Sequence, residues 1–297
     1  MGRRLARARR EKWIYAYAFV APIVVVFGLF RIFPSIETLI FSFYNVNVVT
    51  KKFIAVGLRN FRGLLQDQSF LLSLKNTFIF AVAIVVVATV LGLVLASMFN
   101  SKIRFAPLFR AVYFAPYITS TVAAAVVWSF LYDPTFGLFN YLLKMIGLAP
   151  RGWIASTKDA LMSVIIFSIW KTIGYNIVIY VASLQNIPDI YYEAATIDGA
   201  GALRKFFRIT VPLLASTTLF IIIYNTILAL QAFDQVFVLT AGGPADASTV
   251  VVLQIYKQAF LNYQFGYASA MAFVLFLFLI VITILQFRVG RRWEVEE

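Results

Sequence analysis

Long apolar runs, each about the length of a bilayer core, recur six times along the chain, with polar stretches between them. Roughly 20 consecutive apolar residues suffice to cross a membrane as a helix. The runs predict membrane-spanning helices over about Trp13–Phe33, Leu71–Phe99, Pro107–Leu131, Asp159–Gln185, Val211–Phe233 and Tyr267–Phe287. The connection Asn100–Ala106 is short, whereas Pro34–Phe70, Asp133–Lys158 and the stretch after Phe233 are long. Turn residues punctuate the long ones: Asp133-Pro134, Gly137, Gly147 and Pro150 in one, Ala241-Gly242-Gly243-Pro244 in another. Short helices along the membrane surface are expected after the first run, around Val56–Leu65, and over Thr249–Phe260. Pro116 interrupts the third run beside Tyr117, Thr119, Ser120 and Thr121, and the backbone groups it frees need partners from neighbouring helices or water.

Composition agrees: 62% of the 297 residues are hydrophobic and 13% are charged, where a soluble domain carries about 25% charged residues. The expected fold class is an all-α integral membrane protein with six spans. The basic tip Met1–Lys12 ahead of the first run could mark a cleaved signal peptide. The run is long enough to span, however, and no small-residue cleavage site comes after it, so a retained helix is expected.

A formal charge of +13 raises the question of nucleic acid, but its distribution fits membrane topology. The tip, the connection after the second run with the first turn of the third, the stretch before Pro212 and the end after Phe287 hold Arg3, Arg4, Arg7, Arg9, Arg10, Lys12, Lys102, Arg104, Arg110, Arg204, Lys205, Arg208, Arg288, Arg291 and Arg292. The longer alternate segments hold fewer: Lys51, Lys52, Arg59, Arg62, Lys144, Arg151, Lys158 and Lys257. By the positive-inside rule both termini and the loop before Pro212 are expected to face the cytoplasm. The organisation is then a basic cytoplasmic N-terminus 1–12, a span region 13–287 with a loop at 186–211, and a cytoplasmic tail 288–297.

Absent residue types exclude several chemistries. There is no Cys and no His, which removes thiolate nucleophiles, disulfides, the commonest metal ligand and the usual general base. No GxxxxGK[ST] phosphate loop occurs, so no nucleotide site of that kind is expected. Deep ionisable residues are few, Lys171 being the clearest and Asp234 lying near the outer end of the fifth run. A proton-coupled carrier usually shows acidic or histidine relays there. Neither an enzyme nor a resident metal or cofactor is expected, and any energy source would have to come from a partner.

The most distinctive stretch is Tyr191–Ser216, YYEAATIDGAGALRKFFRITVPLLAS. Ile187–Ile197 can wind as a short helix, Asp198-Gly199 breaks it because Gly accepts positive φ, and Leu203–Ile209 forms a second piece. Arg204, Lys205 and Arg208 are expected on one side of that piece, with Phe206, Phe207 and Ile209 on the other. Pro212 then opens the fifth run, where proline in a first turn costs little.

Glu193-Ala194-Ala195, Asp198-Gly199-Ala200 and Pro212-Leu213 together resemble the EAA loop of permease subunits of binding-protein-dependent ABC importers. The phrases VGLRNF, SIWKTIGYNIVIYVASLQNIP and FDQVFVLTAGGPADASTVVV extend the resemblance over nearly the whole chain from Trp13, towards the carbohydrate-uptake branch of maltose and glycerol-3-phosphate type. The resemblance implies a coupling helix at Glu193, Ala194, Ala195, Asp198, Gly199 and Ala200. It also implies a second permease subunit, two cytoplasmic ATPase subunits that bind ATP and Mg, an extracytoplasmic binding protein, and a sugar-type substrate.

Substrate contacts can be sought on helical faces. Ser168, Lys171, Thr172, Tyr175 and Ile179 share one stripe of the fourth run, with Asn176 beside them, and Tyr224, Gln231 and Gln235 share one of the fifth. Trp170, Lys171, Tyr175, Asn176, Tyr224 and Asn225 are candidates, since a sugar needs flat aromatic surfaces and directed polar groups. The same side chains can instead hold helices together in lipid. Lys171 can equally meet backbone carbonyls, an aromatic face or an anion. The competing function classes are a secondary carrier working without an ATPase, which predicts gradient-driven uptake by the chain alone, and a membrane-embedded enzyme.

Overall fold

The computed structural model describes residues 2–47, 52–99 and 106–290. Lys51, the connection carrying Lys102 and Arg104, and the tail with Arg291 and Arg292 lie outside the described residues. Two compact units emerge, one of residues 1–63 with 258–273, the other of 64–257 with 274–297. Among the described residues, four helical stretches are long and apolar enough to cross a membrane: Tyr15–Phe41, Gln68–Met98, Ala160–Leu184 and Phe265–Gly290. Two bent pairs raise the number to six if each pair is one span.

In the first unit, helix α1 (Gly2–Phe27) runs through a π-helical turn (Gly28–Ile32) into α2 (Phe33–Phe41). The apolar pattern predicts an end at Phe33; the helix instead continues past Pro34 to Phe41. The π turn explains this. Phe33 donates to the Gly28 carbonyl five residues back, and Pro34 falls at the start of α2, where its missing N–H is not needed. The segment after α2 contains strands as well as a helix: β1 (Tyr44–Asn47) and β2 (Lys52–Ala55) pair antiparallel, Tyr44 opposite Ala55. Helix α3 (Arg59–Leu64) occupies the expected VGLRNF region. Its Asn60 Nδ2 donates to the carbonyls of Ser42 (2.9 Å) and Tyr44 (3.0 Å), tying α3 to the chain ahead of the hairpin.

The second unit is built on α4 (Gln68–Phe99) and α8 (Ala160–Leu184), which pack side by side. One buried cluster gathers Phe80, Ile84, Tyr132, Val164, Phe167, Leu230 and Val236; a second gathers Ala96, Ile177, Tyr180, Leu184, Leu214 and Ile221. The outward faces of α4 and α8 keep Val82, Val86, Val90, Met162 and Ile166 exposed, as lipid contact allows.

The third predicted span is not one helix. Helix α5 (Ala106–Ile118) ends, Ser120 turns to an extended conformation (φ −52°, ψ 128°), and α6 (Thr121–Leu131) leaves at 105° to the preceding helix. Pro116 stays inside α5, so the break lies three to four residues beyond it. The fifth predicted span begins later than Val211: α12 (Ala215–Leu230) is bent by 69° from the stretch Ala202–Leu213, with Leu214 at the corner. The sixth is α15 (Phe265–Gly290), a few residues longer at each end than expected.

The long connections carry α7 (Leu138–Met145), then α13 (Asp234–Thr240), and α14 (Val251–Tyr256) within the predicted 249–260. Between α13 and α14, buried Asn76 of α4 directs Nδ2 at the carbonyls of Ala247 (3.2 Å) and Thr249 (3.0 Å), and Thr77 Oγ1 accepts the N–H of Val251 (2.9 Å). These bonds seat the loop on α4.

Candidate functional site

Two features concentrate chemistry, and the first is the loop leading into α12. Helix α9 (Asp189–Ile197) opens with Asp189 in its first turn, where a carboxylate suits the helix dipole. It closes in two backbone bonds: Ala200 N–H to the Ala195 carbonyl (2.8 Å) and Gly199 N–H to the Thr196 carbonyl (3.0 Å). That pairing is a Schellman motif and requires a left-handed residue after the cap, which Gly199 supplies at φ 75°.

Helix α10 (Ala202–Lys205) then runs through a π turn (Phe206–Thr210) into α11 (Val211–Leu213). Val211 donates to Phe206 five residues back, immediately before Pro212, the same arrangement as before Pro34. The extra residue in the π turn also disturbs the predicted two-sidedness. Phe206 and Ile209 are half-buried, but Phe207 is exposed alongside Arg204 and Arg208. Lys205 Nζ to Thr196 Oγ1 (2.6 Å) and the Tyr192–Thr210 hydroxyl pair (3.0 Å) hold the two limbs together. Glu193, Ala194 and Asp198 are exposed, and Ala195 and Ala200 are half-buried. Ile190, Ile197 and Leu203 stand out beside them, Ile197 at 87% exposure, which is more apolar surface than a loop needs for itself.

The second feature is a cavity of about 580 Å³, within the range of small-molecule sites. It opens where α8, the break between α5 and α6, the end of α12 and the start of α13 meet. Tyr117, Thr119, Ser120 and Thr121 line it from the break, Phe167, Ser168, Lys171 and Thr172 from α8, and Tyr224, Asn225, Gln231, Asp234 and Gln235 from α12 and beyond. One wall is a stack of tyrosines: Tyr175 lies between Tyr117 (ring centroids 4.9 Å) and Tyr224 (4.6 Å). The outer two close the stack with a hydroxyl–hydroxyl bond of 2.7 Å.

Lys171 explains how the broken span is tolerated. The last carbonyls of a helix have no partner within it. Lys171 Nζ donates to those of Pro116 (3.1 Å), Tyr117 (3.4 Å) and Thr119 (2.6 Å), so a cation sits at the negative end of α5. The approach is possible because Gly174, one turn along α8, lies against the backbone of Tyr113 and Phe114; any Cβ there would collide with the Tyr113 carbonyl.

The six candidate side chains are thus not all together. Lys171, Tyr224 and Asn225 border the cavity and Tyr175 backs its aromatic wall. Asn225 is fully buried beneath it, Nδ2 3.4 Å from Thr89 Oγ1, and its Oδ1 has no protein partner among the described residues. Asn176, also fully buried, packs against Gly92 of α4. Trp170 lies outside the cavity, in a ring cluster with Trp128 (5.0 Å) and Phe167 (5.9 Å). Helical faces alone do not rank Tyr117, Ser120 or Thr121 among the candidates, although Pro116 and the polar patch after it are the available signal.

Comparison with known proteins gives the family of this chain. Residues 88–295 match the family model described as "Binding-protein-dependent transport system inner membrane component", and the chain belongs to that family. It is 35% identical over 279 residues to the "Probable ABC transporter permease protein YurN" of Bacillus subtilis (strain 168), covering 93% of this chain and 95% of that one. It is 34% identical over 278 residues to the "sn-glycerol-3-phosphate transport system permease protein UgpA" of Agrobacterium fabrum (strain C58 / ATCC 33970), covering 93% and 94%. A chain in the crystal structure of a bacterial ABC transporter involved in import of the acidic polysaccharide alginate shares the fold, with a TM-score of 0.84 at 23% identity over 97% of this chain and 99% of that one.

Proposed function

We propose that this chain is the membrane-spanning subunit of an ATP-driven ABC importer for a sugar-type solute. It works beside a second permease subunit, two ATPase subunits at the cytoplasmic face, and an extracytoplasmic binding protein that delivers the solute. The observation that carries the reading is the loop Asp189–Leu213. It presents Glu193 and exposed apolar side chains on a rigid helix whose end is locked by Gly199. A surface of that kind suits docking into a partner, and a locked turn suits a lever. Both termini and this loop are assigned to the cytoplasm on the charge distribution.

The mechanism is alternating access. ATP and Mg belong to the ATPase subunits. Closure of those subunits moves the Glu193–Ala200 lever, the paired permeases open outward to receive the solute, and hydrolysis resets them inward. In the cavity, the Tyr117–Tyr175–Tyr224 wall offers an apolar face to a sugar ring, and the amides and hydroxyls around it offer directed bonds. Tyr224 is assigned a solute contact, with Tyr175 and the fully buried Asn225 behind it; Trp170 and Asn176 are assigned to helix packing. The relatives named for glycerol-3-phosphate and alginate support a carbohydrate-type cargo.

Co-purification with the proteins of its operon tests this, subunit stoichiometry being read by native mass. One copy of this chain, one sister permease and two ATPases are expected. Glu193→Lys should assemble yet lose solute-stimulated ATP hydrolysis. Uptake into liposomes by this chain alone, without ATP, would replace the reading with a secondary carrier.

A further inference from the structure

The importer reading leaves open whether the solute is neutral or acidic, and the cavity carries information on that point. Among the described residues its lining holds one cation, Lys171, and one carboxylate, Asp234. An ammonium has three protons and no acceptor. All three protons of Lys171 have carbonyls to bond, at 2.6, 3.1 and 3.4 Å, and its charge offsets the end of α5. It is a pin for the broken helix, with no donor left for a phosphate or carboxylate. Asp234, by contrast, is exposed in the first turn of α13 and has no ion-pair partner among the described residues. Among the described residues, an acidic solute entering here would meet an unpaired like charge and no free cation, and charges taken out of water need pairing. A neutral polyol needs only hydrogen-bonding groups and an apolar wall, which Tyr224, Thr172, Gln231 and Gln235 provide.

We infer that this subunit's part of the translocation path is built for a neutral, polyhydroxylated solute and selects against phosphorylated or uronate-bearing ones, with Lys171 as a positioning residue. The inference rests on the sugar-importer reading above. It separates this chain from relatives named for a phosphate ester or found in an importer of an acidic polysaccharide.

The assembled importer, reconstituted in lipid with its binding protein, is given matched probes. These are neutral gluco- and manno-oligosaccharides of two to four rings, the corresponding uronates, glycerol, and sn-glycerol 3-phosphate. Uptake and stimulated ATP hydrolysis are read together. The strongest stimulator is expected to be neutral, with its acidic counterpart at least about tenfold weaker. An acidic strongest stimulator overturns the inference while leaving the importer standing. An assembled complex that responds to no probe of either kind removes the sugar reading, and this inference with it.

Two variants, measured with the same binding protein, locate the effect in this chain. Asp234→Asn should narrow the neutral-to-acidic uptake ratio, on the order of fivefold, and an unchanged ratio refutes the role given to Asp234. Lys171→Gln should lower turnover and heat resistance without raising KM for acidic probes selectively. A selective rise would make Lys171 an anion contact and overturn the inference.

Discussion

Replacing Gly174 with Ala tests the link between the broken helix and the cavity. The added Cβ would be driven into the Tyr113 carbonyl and lie 2.8 Å from its carbon and 3.1 Å from Phe114 Cα. Backbone cannot yield as a side-chain tip does, so α5 and α8 must part by on the order of 1 Å. Overpacking of this kind costs roughly 1–3 kcal/mol. The separation also acts on Lys171, three residues earlier on the same face. Its bonds to Pro116 at 3.1 Å and Tyr117 at 3.4 Å would lengthen past hydrogen-bonding distance, and losing a bond to a charged group costs about 1.5–3 kcal/mol. The expected total is about 2–4 kcal/mol, since part of the second loss is recovered by water in the cavity. Thermal unfolding of the purified complex should shift down by several degrees, and solute-stimulated hydrolysis should fall with it. A double-mutant cycle with Lys171→Gln isolates the coupling: the double variant should lose less than the two singles added together, by about 0.5–3 kcal/mol. Strict additivity, or a Gly174→Ala complex as heat-resistant as the parent, would refute the reasoning.

Other parts of the molecule can be tested in the same way. At Gly199 nothing lies within 4 Å of an added Cβ, so substitution costs only backbone strain at φ 75°, roughly 1–2 kcal/mol. Gly199→Val should therefore assemble but lose most solute-stimulated ATP hydrolysis, and Gly199→Asn, which tolerates the left-handed region, should recover much of it. Asn76→Ala should release the loop at Ala247–Thr249 at a cost of about 1–3 kcal/mol, seen as faster amide exchange there with α4 itself unchanged. Chiefly through its hydrogen bond from Lys257 (2.8 Å), which outweighs partial burial, the Asp246 carboxyl is held below its ordinary value of 3.8. A depressed carboxyl stabilises the folded loop at pH above 3.8, and the contribution is lost as pH falls below that through the folded value. Protease sensitivity of the loop should rise over that acid range in the parent, and Asp246→Asn should abolish the dependence.

Periodicity and composition were enough for the membrane class, for the number of apolar runs and for most of their extents, because lipid demands long runs of apolar residues whatever their neighbours are. The turn at Gly199 was legible for a local reason: a left-handed residue after a helix cap is a property of the chain itself. The breaks were not legible. Pro116 marked the third span as irregular, yet the chain turns at Thr119–Ser120, where the carbonyls set free can reach Lys171 on another helix. Pro34 read as the end of the first span and Pro212 as the start of the fifth, while the π turns before them carry the helix through. The tertiary structure alone decided what Lys171 does. Helical spacing put it on an inward face with three kinds of partner open to it, and only the approach of α5 across Gly174 made the carbonyls the nearest. The same approach separated Tyr224 and Asn225 at the cavity from Trp170 and Asn176 in the packing, since one helix face is shared between neighbours that the sequence does not name.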